Sequence, residues 1–531
     1  MESSRRSQRA AFIAFAVVVV VALPLLLYFG RERWFRYDEW SFLASREANL
    51  HDLFAAHSVH WVTLPILGYR ALWAAFGLHS YVPYQAMSVV SHLAVAVLVR
   101  AVMRRAGVRP WTATAAASLL VVFGAGEENI LWAFQITFTA ALAFGLVHLI
   151  LADHDGPLDR RDWLGLLAGL AGLMCSGVAV TMVIVVGIAA LARRGWRIAA
   201  FHTAPLGVAY GVWYLAIGRD AYENQSTSSP GAMLGFVRTA IAVAFDGMAQ
   251  VPGLGWALGG LLVGGCFLAW RGLPPVVMCR VAAAPAALLI GAFIFLAITG
   301  FGRGPEIVRA SRFTYVVAAL SLPAIAVAAD AIMRRWRVAA PILVLALGVA
   351  LVGNIRLFDN GAQRRAGAFQ RVYREQFLLL PRLPIAEQIP RDLRPDLGLA
   401  PWVSFGWMED GVASGRFPAP GAVDPVEAAT QELRLALRQQ LRHRPSQCEP
   451  VAAPARVRLE AGSSLGMRSP VSVVYTNAEG TRSRPVAYAP MPGQRYLVAY
   501  AGPLDLVVRS VGGVFELCDP AGGAFVVPGG P

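Results

Sequence analysis

Residues 10–28 read AAFIAFAVVVVVALPLLLY, an apolar run without a single charged side chain. Arg5, Arg6 and Arg9 precede it, and Arg31, Glu32 and Arg33 follow it. A helix needs about 20 apolar residues to cross the hydrocarbon layer, and this run is long enough. The flanking arginines are also the grammar of a secretory signal, but no small-residue cleavage site stands before Arg31. The run therefore reads as an uncleaved span whose N-terminus lies in the cytoplasm, on the side where arginine accumulates. Ten further apolar runs follow, at 82–103, 111–125, 131–151, 163–175, 178–191, 199–217, 253–270, 281–299, 314–332 and 338–352. With the first they make eleven. The stretch 163–191 can be two short helices broken at Cys175-Ser176-Gly177 or one long helix.

Composition agrees. The chain has 531 residues, 56% hydrophobic and 15% charged, with mean hydropathy +0.52. Soluble domains are nearer a quarter charged, so a soluble enzyme, a disordered chain and a collagen-like chain are excluded. A net charge of +14 would suggest nucleic acid in a soluble protein. Here all the basic residues are arginine, and many cluster at the ends of apolar runs, where they fix topology. The partner this implies is the lipid bilayer, with no nucleic acid.

Charge orients the spans. Arg100, Arg104, Arg105, Arg109, Arg160, Arg161, Arg193, Arg194, Arg197, Arg271, Arg334, Arg335 and Arg337 fall in loops that alternation puts on the N-terminal, cytoplasmic side. Loops 30–80, 126–130, 219–252 and 300–313 fall on the other side. The apolar segment 61–77 contains Pro65, Gly68 and Arg70 and is read as a helix lying on the membrane surface. An odd number of spans places the tail outside the cytoplasm, although Arg356, Arg364, Arg365, Arg371 and Arg374 follow the last span directly. The expected organisation is a transmembrane domain over 1–353 and a soluble extracytoplasmic domain over 354–531. That tail carries helical segments at 364–380 and 425–442, then short strands at 457–460, 471–475, 495–501, 504–508 and 514–518, a small α+β or β-rich domain. Its two cysteines, Cys448 and Cys518, either pair in an oxidising compartment or stay independent thiols.

Three features on the predicted outer face carry chemistry. Tyr37-Asp38-Glu39-Trp40 sets adjacent carboxylates among aromatic residues, suited to general-base work or to holding a divalent cation through oxygen; the bland alternative is a solvated loop with interfacial aromatic anchors. Glu127 and Glu128 sit between apolar runs with almost no linker, where carboxylates are costly and face a cavity or a partner; the alternative is a helix cap. Gln135 is read as lying one or two turns further along the next helix, on a face similar to Glu128 or Leu131. Arg303, Arg309 and Arg312 lie on the outer side against the charge rule and suit bidentate phosphate binding; the alternative is pairing with lipid head groups. His57 and His60, at i and i+3, can share one helical face as metal ligands, but no acid is spaced to complete such a site. His60 remains a candidate substrate contact. His92 and His148, within spans, read as hydrogen-bonded packing residues.

The order of these features resembles the GT-C fold of polyprenyl-phosphate-sugar-dependent glycosyltransferases, the group that includes protein mannosyltransferases and the aminoarabinose transferase of lipid A. The matching runs are Asp38-Glu39 in the first outer loop, His60-Trp61-Val62-Thr63-Leu64-Pro65, the surface-helix end Leu72-Trp73-Ala74-Ala75-Phe76-Gly77, Arg104-Arg105-Ala106-Gly107, and the second acidic position at Glu127 or Glu128. The resemblance covers residues 8–200 in pattern and the rest in layout. It implies an integral membrane glycosyltransferase in which Asp38 is the base, Glu39 assists, and Glu127 or Glu128 positions the acceptor or shares the base role. The donor is a polyprenyl-phosphate-linked sugar, the acceptor a glycan, lipid or protein of the envelope, and the sugar inverts. Some members of the fold use a divalent cation at the acidic pair and many do not. The arginine assignment to the donor phosphate rests on placement. A transporter or flippase for a lipid-linked glycan, or a non-catalytic assembly protein, is the alternative. The first would show two similar halves with interrupted helices, and none is visible in the sequence. The setting is the plasma membrane of a bacterium.

Overall fold

The computed structural model describes residues 2–219, 229–302, 307–440, 445, 447–518 and 524–527. The chain divides into two compact units. The first comprises Met1–Arg33, Arg46–Ala75 and Ser80–Gly367; the second comprises Trp34–Ser45, Phe76–His79 and Ala368–Pro531.

The helices run in chain order as α1 (Glu2–Phe29), α2 (Asp38–Trp40, in the second unit), α3 (Leu50–Phe54), α4 (Thr63–Phe76), α5 (Val82–Arg105), α6 (Pro110–Val121), α7 (Glu127–Leu131), α8 (Ile136–Ala152), α9 (Arg160–Leu173), α10 (Val178–Arg194), α11 (Trp196–Ala216), α12 (Pro230–Ala249), α13 (Leu254–Trp270), α14 (Pro275–Gly302), α15 (Ser311–Arg335) and α16 (Ala339–Leu357). Among the described residues, seven segments are long and apolar enough to cross a membrane, α12 among them. The protein is a polytopic helical membrane protein.

Hydrogen bonds between helix ends reveal which ends lie together. At one end of the first unit, Thr114 of α6 donates to the Ala11 carbonyl of α1 (3.0 Å), and Arg109 pairs with Asp330 of α15 (2.6 Å). Arg194 of α10 reaches Asp162 of α9 and the Ala152 carbonyl of α8, and Arg280 of α14 reaches Asp155. At the opposite end, Leu64 of α4 donates to the Met174 carbonyl after α9 (3.1 Å), and Trp213 of α11 donates to Phe54 (2.8 Å). There too Asn354 of α16 accepts from Ala125 (3.0 Å) and donates to Gly247 of α12 (3.2 Å). These contacts make α1, α5, α6, α8, α9, α10, α11, α13, α14, α15 and α16 run alternately between the ends; of these, α1, α5, α8, α14, α15 and α16 carry a stretch long and apolar enough to cross a membrane. The chain breaks at Cys175-Ser176-Gly177, so the stretch 163–191 is two helices.

The sequence reading left 219–252 as a loop, and there the structure differs. The helix α12 occupies its second half. It does not reach the far end: Phe236 packs against Phe313 (6.5 Å between ring centres) and Gly247 against Ala125 and Thr314. Both halves therefore touch the start of α15, and α12 lies across that end. The sequence cue was hidden because its buried face (Phe236, Ala240, Ala244, Phe245, Met248) is small and alternates with Arg238 and Asp246.

The second unit holds α17 from Ala368 onward (Gly361–Leu379), α18 (Phe405–Ala413) and α19 (Pro425–Ala436). After them come β1 (Leu437–Gln440), β2 (Cys448–Ala452), β3 (Ala455–Leu459), β4 (Ser464–Gly466), β5 (Val471–Thr476), β6 (Val486–Tyr488), β7 (Tyr496–Ala499), β8 (Leu504–Ser510), β9 (Val514–Cys518) and β10 (Ala524–Val526). They form two five-stranded antiparallel sheets, ordered β1-β7-β4-β9-β2 and β10-β3-β8-β5-β6. Period-two burial explains them: Val471, Val473 and Tyr475 of β5 and Leu504, Leu506 and Val508 of β8 point inward. Cys448 and Cys518 are register partners on β2 and β9 and form a disulfide. The expected helix 425–442 stops at Ala436, because Leu437 turns to extended backbone and pairs with Ala499; residues 441 and 442 lie outside the described residues.

One buried cluster holds α8 to α11 together. Asp159 and Asp162 form a capping box at the start of α9, ahead of the spanning stretch. The fully buried Asp162 also accepts from Arg194 (2.5 Å) and contacts His202 (2.9 Å) and His154 (3.2 Å). Burial pushes its carboxyl up, and the bonds from Arg194, the Asp159 backbone and His202 outweigh that and hold it below the usual carboxylate range. Replacing it by alanine strands Arg194 and His202, so Asp162→Ala is expected to cost about 3–5 kcal/mol of stability, read as a lower melting temperature in detergent. With the folded carboxyl below its ordinary value of about 3.9, this stabilisation is complete above that pH and is lost only as pH falls through the lower folded value. The gap between wild type and variant should therefore persist down to about pH 4.

Candidate active site

The first unit builds its acidic corner from three broken helices. α6 ends at Val121 and a 3-10 turn spans Gly124–Gly126. The short α7 follows, then a second 3-10 turn at Ala133–Gln135, then α8. Two glycines make the corner possible. A β-carbon on Gly124 would sit 2.0 Å from the Asn354 carbonyl, and one on Gly126 would sit 2.8 Å from Tyr315. The backbone therefore comes close to α15 and α16 only because these positions carry no side chain.

Glu127 and Glu128 open α7, where the helix dipole favours negative charge. Each meets an arginine from another element. Arg33, just after α1, lies 3.7 Å from Glu127 and also donates to Gln363. Arg312, in the first turn of α15, pairs with Glu128 at 2.7 Å, with both side chains mostly shielded. Ser311 adds a reciprocal contact: the Glu128 backbone N–H donates to its hydroxyl (3.2 Å), and the hydroxyl donates back to the carboxylate (3.4 Å). Two residues singled out for different roles, an acid and a phosphate-binding arginine, are thus partners of each other.

The expected place of Gln135 is one or two turns into the helix after Glu128; it instead closes a 3-10 turn just ahead of α8. Trp132 is extended and ends α7, so Gln135 closes a separate turn. Both Asn129 and Gln135 are buried. Among the described residues, neither the Asn129 amide nor the Gln135 side-chain oxygen has a hydrogen-bond partner. Most buried polar groups in proteins are paired, and these stand among several buried polar atoms without a partner in the described residues. Asn129 was missed in the sequence because its neighbours Glu127 and Glu128 drew the reading; an amide inside an apolar, acid-flanked turn was the available signal.

His57 and His60 do not share a helical face. They face each other across a tight antiparallel turn, each backbone N–H donating to the other's carbonyl at 3.0 Å, with Ser58 at φ 51°. The intervening pair is too short for helix, which removes the geometric ground for an i, i+3 metal pair. His57 packs on Phe134, next to Gln135 (5.5 Å between rings), and His60 lies against Gly177 at the α9–α10 break. His92 bonds the Tyr315 hydroxyl (2.8 Å) and His148 bonds His202 (3.0 Å), as packing residues do. Arg309 is exposed in the turn before α15. Arg303 lies outside the described residues.

Asp38 and Glu39 belong to the second unit, and the local geometry separates their roles. Glu39 is fully buried and accepts the Arg36 backbone N–H (3.0 Å), closing the turn. Asp38 is half-buried. Tyr37, just before it, sits at φ 50°, a conformation costly for a side chain of that size. The turn is held by Trp40, stacked on Phe377 at 4.6 Å, and by Trp34, edge-on to Trp40 at 5.5 Å. A strained, aromatic-braced turn fixes the direction of Asp38. Outside the disulfide, the described residues hold one grouping with metal-ligating atoms together, His154, Asp159 and Asp162. Its carboxylates already accept from Arg161 and Arg194.

No protein-family model matches the chain, and no curated protein matches it. Among solved structures it is similar to ArnT from Cupriavidus metallidurans in the apo state. That likeness has a TM-score of 0.46 and 14% identity, over 93% of this chain and 100% of that one.

The Glu128–Arg312 pair gives a direct test of the corner. Arg312→Gln and Glu128→Gln should each cost about 1–3 kcal/mol by leaving a shielded partner charge unmatched. The double variant should cost less than the sum, with a coupling of about 0.5–3 kcal/mol in thermal melts of the purified protein.

Proposed function

We propose that this protein is an integral membrane glycosyltransferase that moves a sugar from a polyprenyl-phosphate donor to an envelope glycan, lipid or protein acceptor, with inversion. The observation that supports it best is the acidic corner. Two carboxylates, and the buried Asn129 amide and Gln135 oxygen, which have no hydrogen-bond partner among the described residues, gather at one end of the helix bundle, against the starts and ends of α1, α15 and α16. A polar, hydroxyl-rich ligand at the membrane edge would satisfy those amides. The order of motifs in the first 200 residues points the same way.

In this reading Asp38 takes the proton of the acceptor hydroxyl as its oxygen attacks the anomeric carbon. The bond from that carbon to the donor phosphate breaks, and the polyprenyl phosphate leaves as an anion. Glu39 holds the turn that aims Asp38. Glu127 with Asn129 and Gln135 binds hydroxyls, and His60 contacts substrate from its turn. The leaving phosphate needs cationic stabilisation. Arg312 is partly neutralised by Glu128, so the exposed Arg309, together with Arg303, is the better phosphate ligand. The N-terminus is cytoplasmic and the acidic end faces outward, because the opposite end collects Arg104, Arg105, Arg160, Arg161, Arg193, Arg194, Arg334 and Arg335. Residues 354–531 would then form an extracytoplasmic domain, a setting in which its disulfide persists.

Deleting the gene should raise a lipid-linked sugar and remove one envelope glycan modification, both read by mass spectrometry. With that donor and the purified protein, Asp38→Asn should lower the release of polyprenyl phosphate by about 10²–10⁴-fold with an unchanged melting temperature. Full turnover in the variant would overturn the assignment of the base. A lipid-linked sugar that is moved across the bilayer with its bond intact would make the protein a flippase.

A further inference from the structure

One cavity among the described residues is far from the acidic corner in chemistry. It measures about 770 Å³ and lies among α6, α13, α15 and α16. Its walls are almost wholly aliphatic, with Leu119, Leu258, Leu261, Ile325 and Leu347 typical of them. Arg109 and Thr112 of α6, Met333 of α15 and Ser7 of α1 mark its mouth at the arginine-rich end. Met248 and Leu254 mark its reach toward the other end. The stretch of α6 that lines it, 109–119, is about 15 Å long, half of a hydrocarbon layer of about 30 Å.

An apolar cavity of this kind holds no water, and this one runs along membrane-spanning helices. Its mouth is polar and strongly basic. Asp330 is buried there and is shared by Arg109 (2.6 Å) and Arg334 (2.6 Å), both half-exposed. One carboxylate cannot neutralise two guanidiniums. Arg335 and Arg337 are exposed beside them. Asp330 is the sole acid of the sequence between Glu306 and Asp359, and no acid occurs from 82 to 126. Thr112 donates to the same Asp330 oxygen (3.0 Å), so the polar groups of the mouth converge on one point.

The geometry points to a bound anionic phospholipid, taken from the leaflet at the arginine-rich end, with an acyl chain in this cavity and its phosphate at Arg109 and Arg334. The aliphatic lining accepts the chain, and the excess of positive charge at the mouth selects an anionic head group over a zwitterionic one. Basic pockets between spanning helices recognise lipid head groups in this way. The site is separate from donor and acceptor binding, since its charged mouth is at the end of the bundle opposite Glu127 and Glu128.

The full-length protein, purified in mild detergent, is exposed to phosphatidylglycerol or phosphatidylcholine and read by native mass spectrometry. Retention of phosphatidylglycerol with release of phosphatidylcholine is expected. Arg334→Gln keeps Asp330 paired with Arg109, and it should weaken phosphatidylglycerol retention about fivefold, the equivalent of about 1 kcal/mol per arginine at an anionic surface. Ala346→Phe, on the half-buried α16 wall, should abolish retention by filling the cavity while the melting temperature in detergent stays within a few degrees. Equal retention of both lipids, indifference to either variant, or a co-purified polyprenyl species in place of phospholipid would each overturn the proposal.

Discussion

A charge in hydrocarbon must be paired or moved to water, and that constraint organises the whole first unit. Its carboxylates gather at the two ends of the bundle, and those tucked among the helices have arginine partners. Asp330 has Arg109 and Arg334, Asp162 has Arg194, Glu128 has Arg312 and Glu127 has Arg33. Apart from Asp330–Arg334, which lies within α15, each pair joins different elements, so the ion pairs help set which helix ends meet. The two ends differ in what surrounds these pairs. At one, arginine is in excess. At the other, the pairs sit beside unpartnered amides and broken helices.

That difference connects packing to chemistry. The α6–α8 corner gives up continuous helix for short turns, which is tolerated in a membrane protein only where backbone is buried in protein or lines a polar cavity. Gly124 and Gly126 allow the approach of α15 and α16. The result is a buried polar corner at one end of the bundle. The second unit contributes an aromatic brace of Trp34, Trp40 and Phe377 around the strained turn at Tyr37.

The long apolar helices were legible because apolar length is a strong signal, and the tail strands β3, β5 and β8 because alternation of inward and outward residues is clear over five or more positions. Three things were not legible, each for a physical reason. The helix α12 is apolar enough to cross, yet its contacts keep it at one end, and such contacts are tertiary. The step from α7 to Gln135 depends on Trp132 leaving helical geometry, which the apolar pattern of 130–136 does not encode. The His57–His60 turn rests on two backbone hydrogen bonds and a positive φ at Ser58, invisible to a spacing rule. The acids themselves were found by residue type, whereas their partners Arg33, Ser311 and Arg312 come from elements far away in sequence.

The proposed function turns on positions 38 and 127 each lying on the outer side of the membrane, with the arginine-rich end inside. Single cysteines at positions 38, 127 and 334 would be placed in a protein whose free Cys175, Cys266 and Cys279 are replaced and whose Cys448–Cys518 disulfide is kept, and intact cells would be treated with a membrane-impermeant thiol reagent. The account predicts that 38 and 127 label from outside and that 334 labels only after the membrane is opened. Labelling of 38 and 127 from opposite sides would contradict it.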